Sequence, residues 1–297
     1  MVQKEINVSV VYLAWLPFGI GYFKQFINSY LKYDAGYPHD LIIAFNGVAI
    51  DHPDKKETYI EYLQNNGIHN YKCLYFKAGQ DVETYRKVAA ALNSDYVLFF
   101  NTYTQVKASN WLRFYIDNQS ENIGIIGATG SYASYLRSIN MKIKRDFFSD
   151  ASMKKKFGYI KYILKLNLLF RYKFGKYPNP HIRTTAFFIK RELFCDLYFK
   201  KPKNKTEAYF FENGTKGLTK QILNRGLHCI IIDKSGKSYP IEQWPNSFTF
   251  WQGNQENLLI SDNQTLKFEQ GSPELKKILC REAWDAKWIF NDHNNAT

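Results

Sequence analysis

Cysteine is scarce in this sequence and is not arranged for metal binding or for disulfides. The four cysteines among 297 residues are dispersed, at Cys73, Cys195, Cys229 and Cys280. Zinc sites need closely spaced pairs of ligands, and small secreted proteins concentrate their cysteines into a disulfide framework. The sequence therefore argues against both classes and predicts reduced cysteines within the core.

Long apolar runs are also missing. No segment reaches the roughly 18 consecutive apolar residues typical of a transmembrane helix. Lys4 and Glu5 interrupt any apolar run near the amino terminus, so no signal peptide is recognised there. These features predict a cytoplasmic protein.

The glycine-rich motifs of common nucleotide-binding loops are absent as well. Phe18-Gly19-Ile20-Gly21 lacks the third glycine of a dinucleotide-binding loop, and no P-loop with its lysine occurs. None of the usual nucleic-acid-binding motifs is present either. No nucleic-acid partner is therefore expected.

Acidic residues are outnumbered by basic ones. Lys and Arg total 40 against 27 Asp and Glu, a net charge of +13. This excess favours an anionic partner, such as a nucleotide diphosphate or an anionic membrane surface. Residues 157–172, within a basic segment at 141–176, combine lysines with a broad apolar face. The pattern predicts a basic helix that either adsorbs to a membrane or packs on the protein with its lysines in solvent.

Predicted strands and helices alternate along the first half of the chain. The short apolar runs that read as buried strands are residues 8–13, 41–45, 71–76 and 96–100. The segments with helical periodicity are residues 18–33, 59–63 and 81–92. This alternation predicts a mainly parallel sheet flanked by helices.

Polar residues directly follow the fourth predicted strand. Asn101, Thr102, Tyr103 and Thr104 stand at its carboxyl end. In open α/β sheets ligands bind beyond the carboxyl ends of the strands, so these residues are candidates for a site. A strand that merely leaves the core is the alternative.

The stretch from Asp81 to Tyr103 resembles the family-two glycosyltransferases of the GT-A fold. Arg86 stands at the family's arginine position, and Asn101 and Tyr103 stand where the family has the two aspartates of its Asp-X-Asp motif. The resemblance is firmest over residues 8–131 and looser over residues 181–233. It implies a GT-A-like fold and a nucleotide-sugar site. The residues it assigns to that site are Ala14, Asn46, Asp81, Arg86, Asn101 and Tyr103.

The departure from Asp-X-Asp bears on metal binding. In the family the paired aspartates hold a divalent ion, whereas Asn101 and Tyr103 offer one amide oxygen and a protonated phenol. No tightly bound cofactor is therefore expected, although Mg²⁺ or Mn²⁺ could enter with the substrate. The charge of the diphosphate would then fall to Arg86, with His181 and Arg183 as further candidates.

A carboxylate is needed to activate the acceptor, and the second half of the chain offers two. The resemblance implies a general base just before a helix that ends at a glycine, here the predicted helix of residues 218–224 with Gly226. Glu212 is the best-placed carboxylate for this catalytic role, and Glu207 is the alternative. His181 begins a predicted strand of residues 181–189.

The segment of residues 244–265 is rich in tryptophan and side-chain amides and has no clear periodicity. Aromatic faces and amides suit sugar rings and hydroxyls, which predicts a loop over the site. The acceptor-binding candidates are Trp251, Gln255, Glu256 and Asp262. A helix at residues 257–260 that packs on the sheet is the alternative.

These features together predict a GT-A-like glycosyltransferase. A basic insertion at residues 136–180 would separate a nucleotide-binding half at 1–135 from an acceptor-binding half at 181–297. The expected reaction moves a sugar from a nucleotide-sugar donor to a glycan or glycolipid, with inversion favoured, at the inner membrane face or in the cytoplasm. The alternatives are a non-catalytic glycan- or membrane-binding protein of the same fold and a nucleotidyltransferase.

Overall fold

An eight-stranded sheet forms the centre of the protein. The computed structural model describes residues 6–52, 54–139, 141 and 172–289. The described strands are β1 (Val8–Trp15), β2 (Asp40–Asn46), β3 (Tyr71–Phe76), β4 (Tyr96–Phe100), β5 (Gln105–Val106), β6 (Ile123–Gly127), β7 (Gly130–Ser131), β8 (His181–Ile182), β9 (Ala186–Lys190), β10 (His228–Ile232), β11 (Ser238–Pro240) and β12 (Ile260–Ser261). The central sheet has the order β11-β10-β6-β9-β4-β1-β2-β3, while β5 pairs with β12 and β7 with β8.

Helices cover both faces of this sheet. The described α-helices are α1 (Gly21–Lys32), α2 (Lys56–Asn65), α3 (Asp81–Ala90), α4 (Trp111–Asp117), α5 (Arg191–Asp196), α6 (Lys205–Asn213), α7 (Leu218–Leu223), α8 (Asn263–Glu269) and α9 (Pro273–Trp284). None of them is both long and apolar enough to cross a membrane.

The prediction of a mainly parallel sheet flanked by helices is confirmed. β1 runs parallel to β2 and β4, β2 to β3, and β6 to β10. β9 is the exception within the sheet, since it lies antiparallel between β4 and β6. β11 pairs antiparallel with β10 at one edge.

Burial of both faces explains why the strands read as continuous apolar runs. In β1, Val11 and Leu13 belong to the core on one face, and Val10 and Tyr12 belong to the core on the other. Tyr12 stacks on Phe26 of α1 with ring centroids 4.1 Å apart. Every residue of this strand except the last is therefore buried.

The strand predicted at residues 181–189 is wrong in one respect, because the structure divides it. His181 and Ile182 form β8 and pair with β7, whereas Ala186–Lys190 enters the central sheet as β9. The chain changes partners across residues 183–185. This break leaves three polar residues outside regular structure, next to the end of β4.

The helix predicted after Glu212, at residues 218–224, is confirmed as α7 (Leu218–Leu223), and Glu212 itself lies in the last turn of α6. No helix forms at residues 257–260, and α8 begins instead after Asp262, whose side chain accepts from the backbone N–H groups of Gln264 and Thr265. This capping box specifies the start of α8 at Asn263, beyond the helix considered at residues 257–260. The predicted basic helix at residues 157–172 lies almost entirely outside the described residues.

Arg86 ties α3 to α5. Its guanidinium donates hydrogen bonds to the carbonyl oxygens of Phe194 and Cys195, the latter at 2.7 Å. The same group lies 5.6 Å from the ring centre of Phe194 and 5.7 Å from that of Phe199. Arg86 thus satisfies carbonyls near the end of this six-residue helix.

Replacing Arg86 is expected to destabilise the fold. Arg86→Met keeps the aliphatic stem but removes hydrogen bonds to two carbonyls, and bonds of this charged kind are worth about 1.5–3 kcal/mol. Urea denaturation measures the change in free energy of unfolding. Arg113→Met is the matched control, because Arg113 makes only an exposed pair with Asp117 within α4. Equal effects of the two substitutions would contradict this role of Arg86.

Candidate active site

A cavity of about 680 Å³ opens at the edge of the sheet where β1 and β4 end. Trp15 borders it at the end of β1, and Asn101–Tyr103 border it after β4. The chain break before β9 adds Arg183–Thr185, because β9 is antiparallel and therefore begins where β4 ends. The first turn of α3 and one face of α6 complete the wall.

Five of the predicted site residues line this cavity. They are Asp81, Asn101, Tyr103, Glu212 and Trp251. Six others do not line it. These are Ala14, Asn46, Arg86, Gln255, Glu256 and Asp262.

Arg86 is placed away from the cavity by the geometry of α3. Asp81 is the first residue of this helix and faces the cavity, and Arg86 follows five residues later. At 100° per residue the two side chains point about 140° apart around the helix axis. The expectation that Arg86 binds the nucleotide is therefore corrected, since its guanidinium is bound to α5 instead.

Ala14 and Asn46 support the cavity from behind rather than border it. Both side chains are buried. The Asn46 amide donates to the carbonyl oxygen of Gly79 at 2.9 Å. It thereby positions the loop of Gly79 and Gln80, which lines the cavity just before α3.

Gln255 and Glu256 organise the loop that carries Trp251. Gln255 Oε1 accepts from the backbone N–H of Trp251 at 3.1 Å, and its amide donates to the Thr265 carbonyl at 2.9 Å. Glu256 accepts from the backbone N–H of Asn254 at 2.9 Å. Trp251 has a positive φ of 47°, so this bracing holds a backbone conformation that is unfavourable for a large side chain.

Asn101 is used within its own turn. Its Oδ1 accepts from the backbone N–H of Tyr103 at 3.0 Å and from the hydroxyl of Thr104 at 2.9 Å. This is the amide oxygen that was considered as a metal ligand, and here it closes an Asx turn. In the part of the chain that the structure describes, no three His, Cys, Asp or Glu side chains come together as a metal-binding group.

Glu212 lies opposite the chain break. Its two carboxylate oxygens accept from the backbone N–H of Thr184 at 3.3 Å and from the Thr184 hydroxyl at 3.2 Å. Burial within the cavity walls and the nearby charge of Glu212 raise the pKa of Asp81 to about 6, and Lys205 opposes this shift. The cavity thus holds two interacting carboxylates and a lysine.

His181 is buried beside this pair. Its Nδ1 lies 2.8 Å from the carbonyl oxygen of Asn179. A carbonyl only accepts, so Nδ1 carries the proton and Nε2 is the unprotonated nitrogen of the neutral ring. Burial lowers the pKa of His181 and the charge of Glu212 opposes this, so the imidazole is neutral near pH 7.

A buried ion pair underlies the cavity. Arg183 contacts Asp262 at 2.8 Å, and both side chains are almost fully buried. The guanidinium also donates to the Thr129 hydroxyl at 3.2 Å and lies 4.1 Å from the ring centre of Phe250. Asp262 was predicted to contact the acceptor, but the structure places it beneath the cavity wall, where it holds Arg183.

Lys205 is the cavity residue that sequence reasoning missed. The side chain of Asn204 caps α6 by accepting from the backbone N–H of Glu207, so the helix begins at Lys205. From that start, Lys205, Tyr209 and Glu212 recur at helical spacing and face the cavity together. The Asn204 cap, followed three residues later by an acidic residue, was the signal in the sequence that could have revealed this face.

Comparison with known proteins gives distant structural likeness only. Neither a protein-family model nor a curated protein matches the chain. Residues 1–349 of TarS from S. aureus share 14% identity, covering 41% of this chain and 35% of that one with a TM-score of 0.31. The mannosyltransferase PcManGT from Pyrobaculum calidifontis, solved with GDP-Man and Mn²⁺, shares 8% identity over 48% and 39%, with a TM-score of 0.35.

A third similar structure is glucosyl-3-phosphoglycerate synthase from Mycobacterium tuberculosis, solved with Mn²⁺, UDP and glucosyl-3-phosphoglycerate. It shares 14% identity, covering 63% of this chain and 57% of that one, with a TM-score of 0.34. The chain thus spans between 35% and 57% of the length of these three proteins. Likeness at this distance establishes neither a family nor an activity.

Breaking the buried ion pair is expected to be costly. Asp262→Asn keeps the cap of α8 but leaves the Arg183 charge without its partner, a loss of about 3–5 kcal/mol in the free energy of unfolding. Combining it with Arg183→Met removes the stranded charge and should recover part of that loss. A urea-denaturation cycle over both single variants and the double variant measures the coupling. Additive losses would show that the pair is not a unit.

Proposed function

We propose that this protein is a glycosyltransferase of GT-A-like fold that moves a sugar from a nucleotide-sugar donor to a glycan or glycolipid acceptor. The observation that carries the proposal is the cavity at the carboxyl ends of β1 and β4, with a carboxylate, Glu212, held opposite the strand ends. Ligands of open α/β sheets bind at this edge. The volume of about 680 Å³ suits a small-molecule substrate, for which sites are roughly 300–1,000 Å³.

The proposed reaction is a direct displacement at the anomeric carbon. Glu212 accepts the proton of the acceptor hydroxyl, whose oxygen forms a new bond to that carbon. The bond from the anomeric carbon to the diphosphate oxygen breaks, and the nucleoside diphosphate leaves with the electron pair. This course inverts the anomeric configuration. Thr184 orients the carboxylate through its backbone N–H and hydroxyl.

Lys205 is the proposed cation for the departing diphosphate. It lines the cavity at the first turn of α6, and its charge acts on Asp81 across the cavity. A positive group placed where negative charge develops stabilises the transition state more than the ground state. Asp81 is proposed to accept a hydrogen bond from a hydroxyl of the donor sugar. Asn101 and Tyr103 are proposed to border the same donor.

The other partners are proposed from the sequence and the lining of the cavity. Trp251 borders the cavity and offers an aromatic face to a sugar ring. Binding of the basic insertion to an anionic membrane surface at the inner face of the cell stays a prediction. Co-sedimentation with anionic and neutral vesicles can test it. The alternative function is a non-catalytic protein that binds a glycan in this cavity.

Glu212→Gln is expected to lower turnover about a hundredfold or more while donor affinity stays within about twofold, because an amide cannot take the hydroxyl proton. A panel of UDP-, GDP-, dTDP- and CMP-sugars is first screened by thermal stabilisation, and turnover is then followed by release of the nucleotide. Glu207→Gln is the matched control, since Glu207 lies on the same helix but is bound to the Lys203 backbone. Full turnover by Glu212→Gln would place the base elsewhere. Stabilisation by a donor without turnover would support the alternative function.

Activity is expected to persist in excess chelator. Asn101 is engaged in its own turn, and Lys205 supplies positive charge to the cavity. Divalent ions such as Mn²⁺ prefer carboxylate oxygens, which the strand end after β4 lacks. Turnover of the donor found above is measured in EDTA and then with Mn²⁺ or Mg²⁺ restored. Complete loss in EDTA, reversed by Mn²⁺ alone, would contradict the metal-independent course and direct attention to Asp81.

A further inference from the structure

A second cavity of about 400 Å³ adjoins the first. Both are lined by Tyr103 and Asn263, so the two spaces meet across these residues. The second cavity is otherwise bordered by α1, β5, α8 and the start of α9. Its remaining lining residues are Tyr22, Gln25, Gln105, Leu266, Lys267, Gln270, Gly271 and Leu275.

Side-chain amides dominate the polar lining of this second cavity. Gln105 donates to Oε1 of Gln25 at 3.0 Å. Among the described residues, neither Oε1 of Gln105 nor the amide nitrogen of Gln25 has a further partner, so an acceptor and a donor stand side by side. Asn263 and Gln270 add two more amides. A sugar hydroxyl both donates and accepts, and it therefore matches such a pair.

Aromatic rings border the junction of the two cavities. The rings of Tyr22 and Tyr103 meet edge to face with centroids 4.9 Å apart, and Phe18 lies 5.5 Å from Tyr103. Phe18 is 45% exposed and Tyr22 is 37% exposed, so both rings are accessible to a ligand. Each ring can receive the apolar face of a sugar, since aromatic surfaces combine apolar area with a polar tip.

The charge of the lining narrows the class of ligand. Among the residues that the structure describes, Lys267 is the single charged one that borders this cavity, and no carboxylate of this set does so. A phosphate-rich ligand would call for several cations or oriented backbone N–H groups. A purely apolar ligand would strip water from four amides without replacing their hydrogen bonds. An uncharged, hydroxyl-rich ligand satisfies both conditions.

The walls of this cavity are fixed by the fold. β5 carries Gln105 and pairs with β12, and the hydroxyl of Ser29 in α1 accepts from the backbone N–H of Val106 at 3.0 Å. Asn263 follows Asp262, which is held by Arg183. The amides are therefore presented by ordered backbone elements, so the backbone needs little reordering when a ligand binds.

We propose that this second cavity binds the part of the acceptor that extends beyond the reacting sugar, so that the acceptor is an oligosaccharide or polysaccharide rather than a single sugar. The proposal rests on the proposed function for the identity of the first cavity as the reaction site. A chain of sugars passes from Trp251 and Glu212 in the first cavity, across Tyr103 and Asn263, to the amides of Gln25 and Gln105.

Binding to a glycan microarray tests the proposal without any need for a donor. The array carries glycans of one to eight units, and the labelled proteins are the parent, Tyr22→Ala, the double variant Gln25→Ala with Gln105→Ala, and Gln64→Ala. Gln64 is an exposed glutamine on α2, outside both cavities, and serves as the matched control. Affinity for the best array glycan is then measured by calorimetry.

The parent and Gln64→Ala are expected to bind glycans of several units and to bind single sugars at least tenfold more weakly. Tyr22→Ala and the double amide variant should each lose about tenfold in affinity for the longer glycans, because each removes side chains that line the second cavity and not the first. Absence of binding to every glycan, equal binding of single sugars, or unchanged affinity in both variants would overturn the proposal. Glycan binding of the expected kind without turnover of any nucleotide sugar would refute the proposed function but not this binding site.

Discussion

The buried pair of Arg183 and Asp262 is the interaction on which both cavities depend. Taking two charges out of water is costly, and a buried pair is maintained only where geometry and further contacts are good. Here the guanidinium has the Thr129 hydroxyl and the face of Phe250 as additional partners. The pair joins the chain break before β9 to the start of α8, and so connects the segment that positions Thr184 to the segment that presents Asn263.

Helix α6 places two charged side chains in the first cavity. Its Asn204 cap sets the start of the helix, and helical spacing then directs Lys205 and Glu212 into the same cavity. Glu212 reaches Thr184 at the chain break. A carboxylate fixed in this way costs little reorganisation when it accepts a proton. The cap of α6 and the antiparallel direction of β9 thus determine where Lys205, Glu212 and Thr184 lie in the cavity.

Strands that are buried on both faces were predictable because each appears in the sequence as a short, continuous run of apolar residues. Residues 96–100 are recovered with the predicted bounds for that reason. Residues 71–76 are also recovered with the predicted bounds, although they form an edge strand that is only partly buried. The antiparallel direction of β9 could not be predicted in this way, since an antiparallel strand buried on both faces has the same composition as a parallel one. The position of Arg86 was also decided by tertiary contacts. Asp81 and Arg86 are nevertheless five residues apart, a spacing that places them on different faces of a helix. This spacing was evidence against a shared site, even though Arg86 is the expected residue type.

The turn after β4 is stabilised by a side chain that also borders the cavity. The amide oxygen of Asn101 accepts from the backbone N–H of Tyr103 and from the hydroxyl of Thr104. Asp81 and Glu212 border the same cavity, and burial together with the charge of Glu212 raises the pKa of Asp81 to about 6. An anionic donor entering between them raises that pKa further, because it adds negative charge near a carboxylate. Lys205 acts in the opposite direction, since its positive charge lowers the pKa of Asp81.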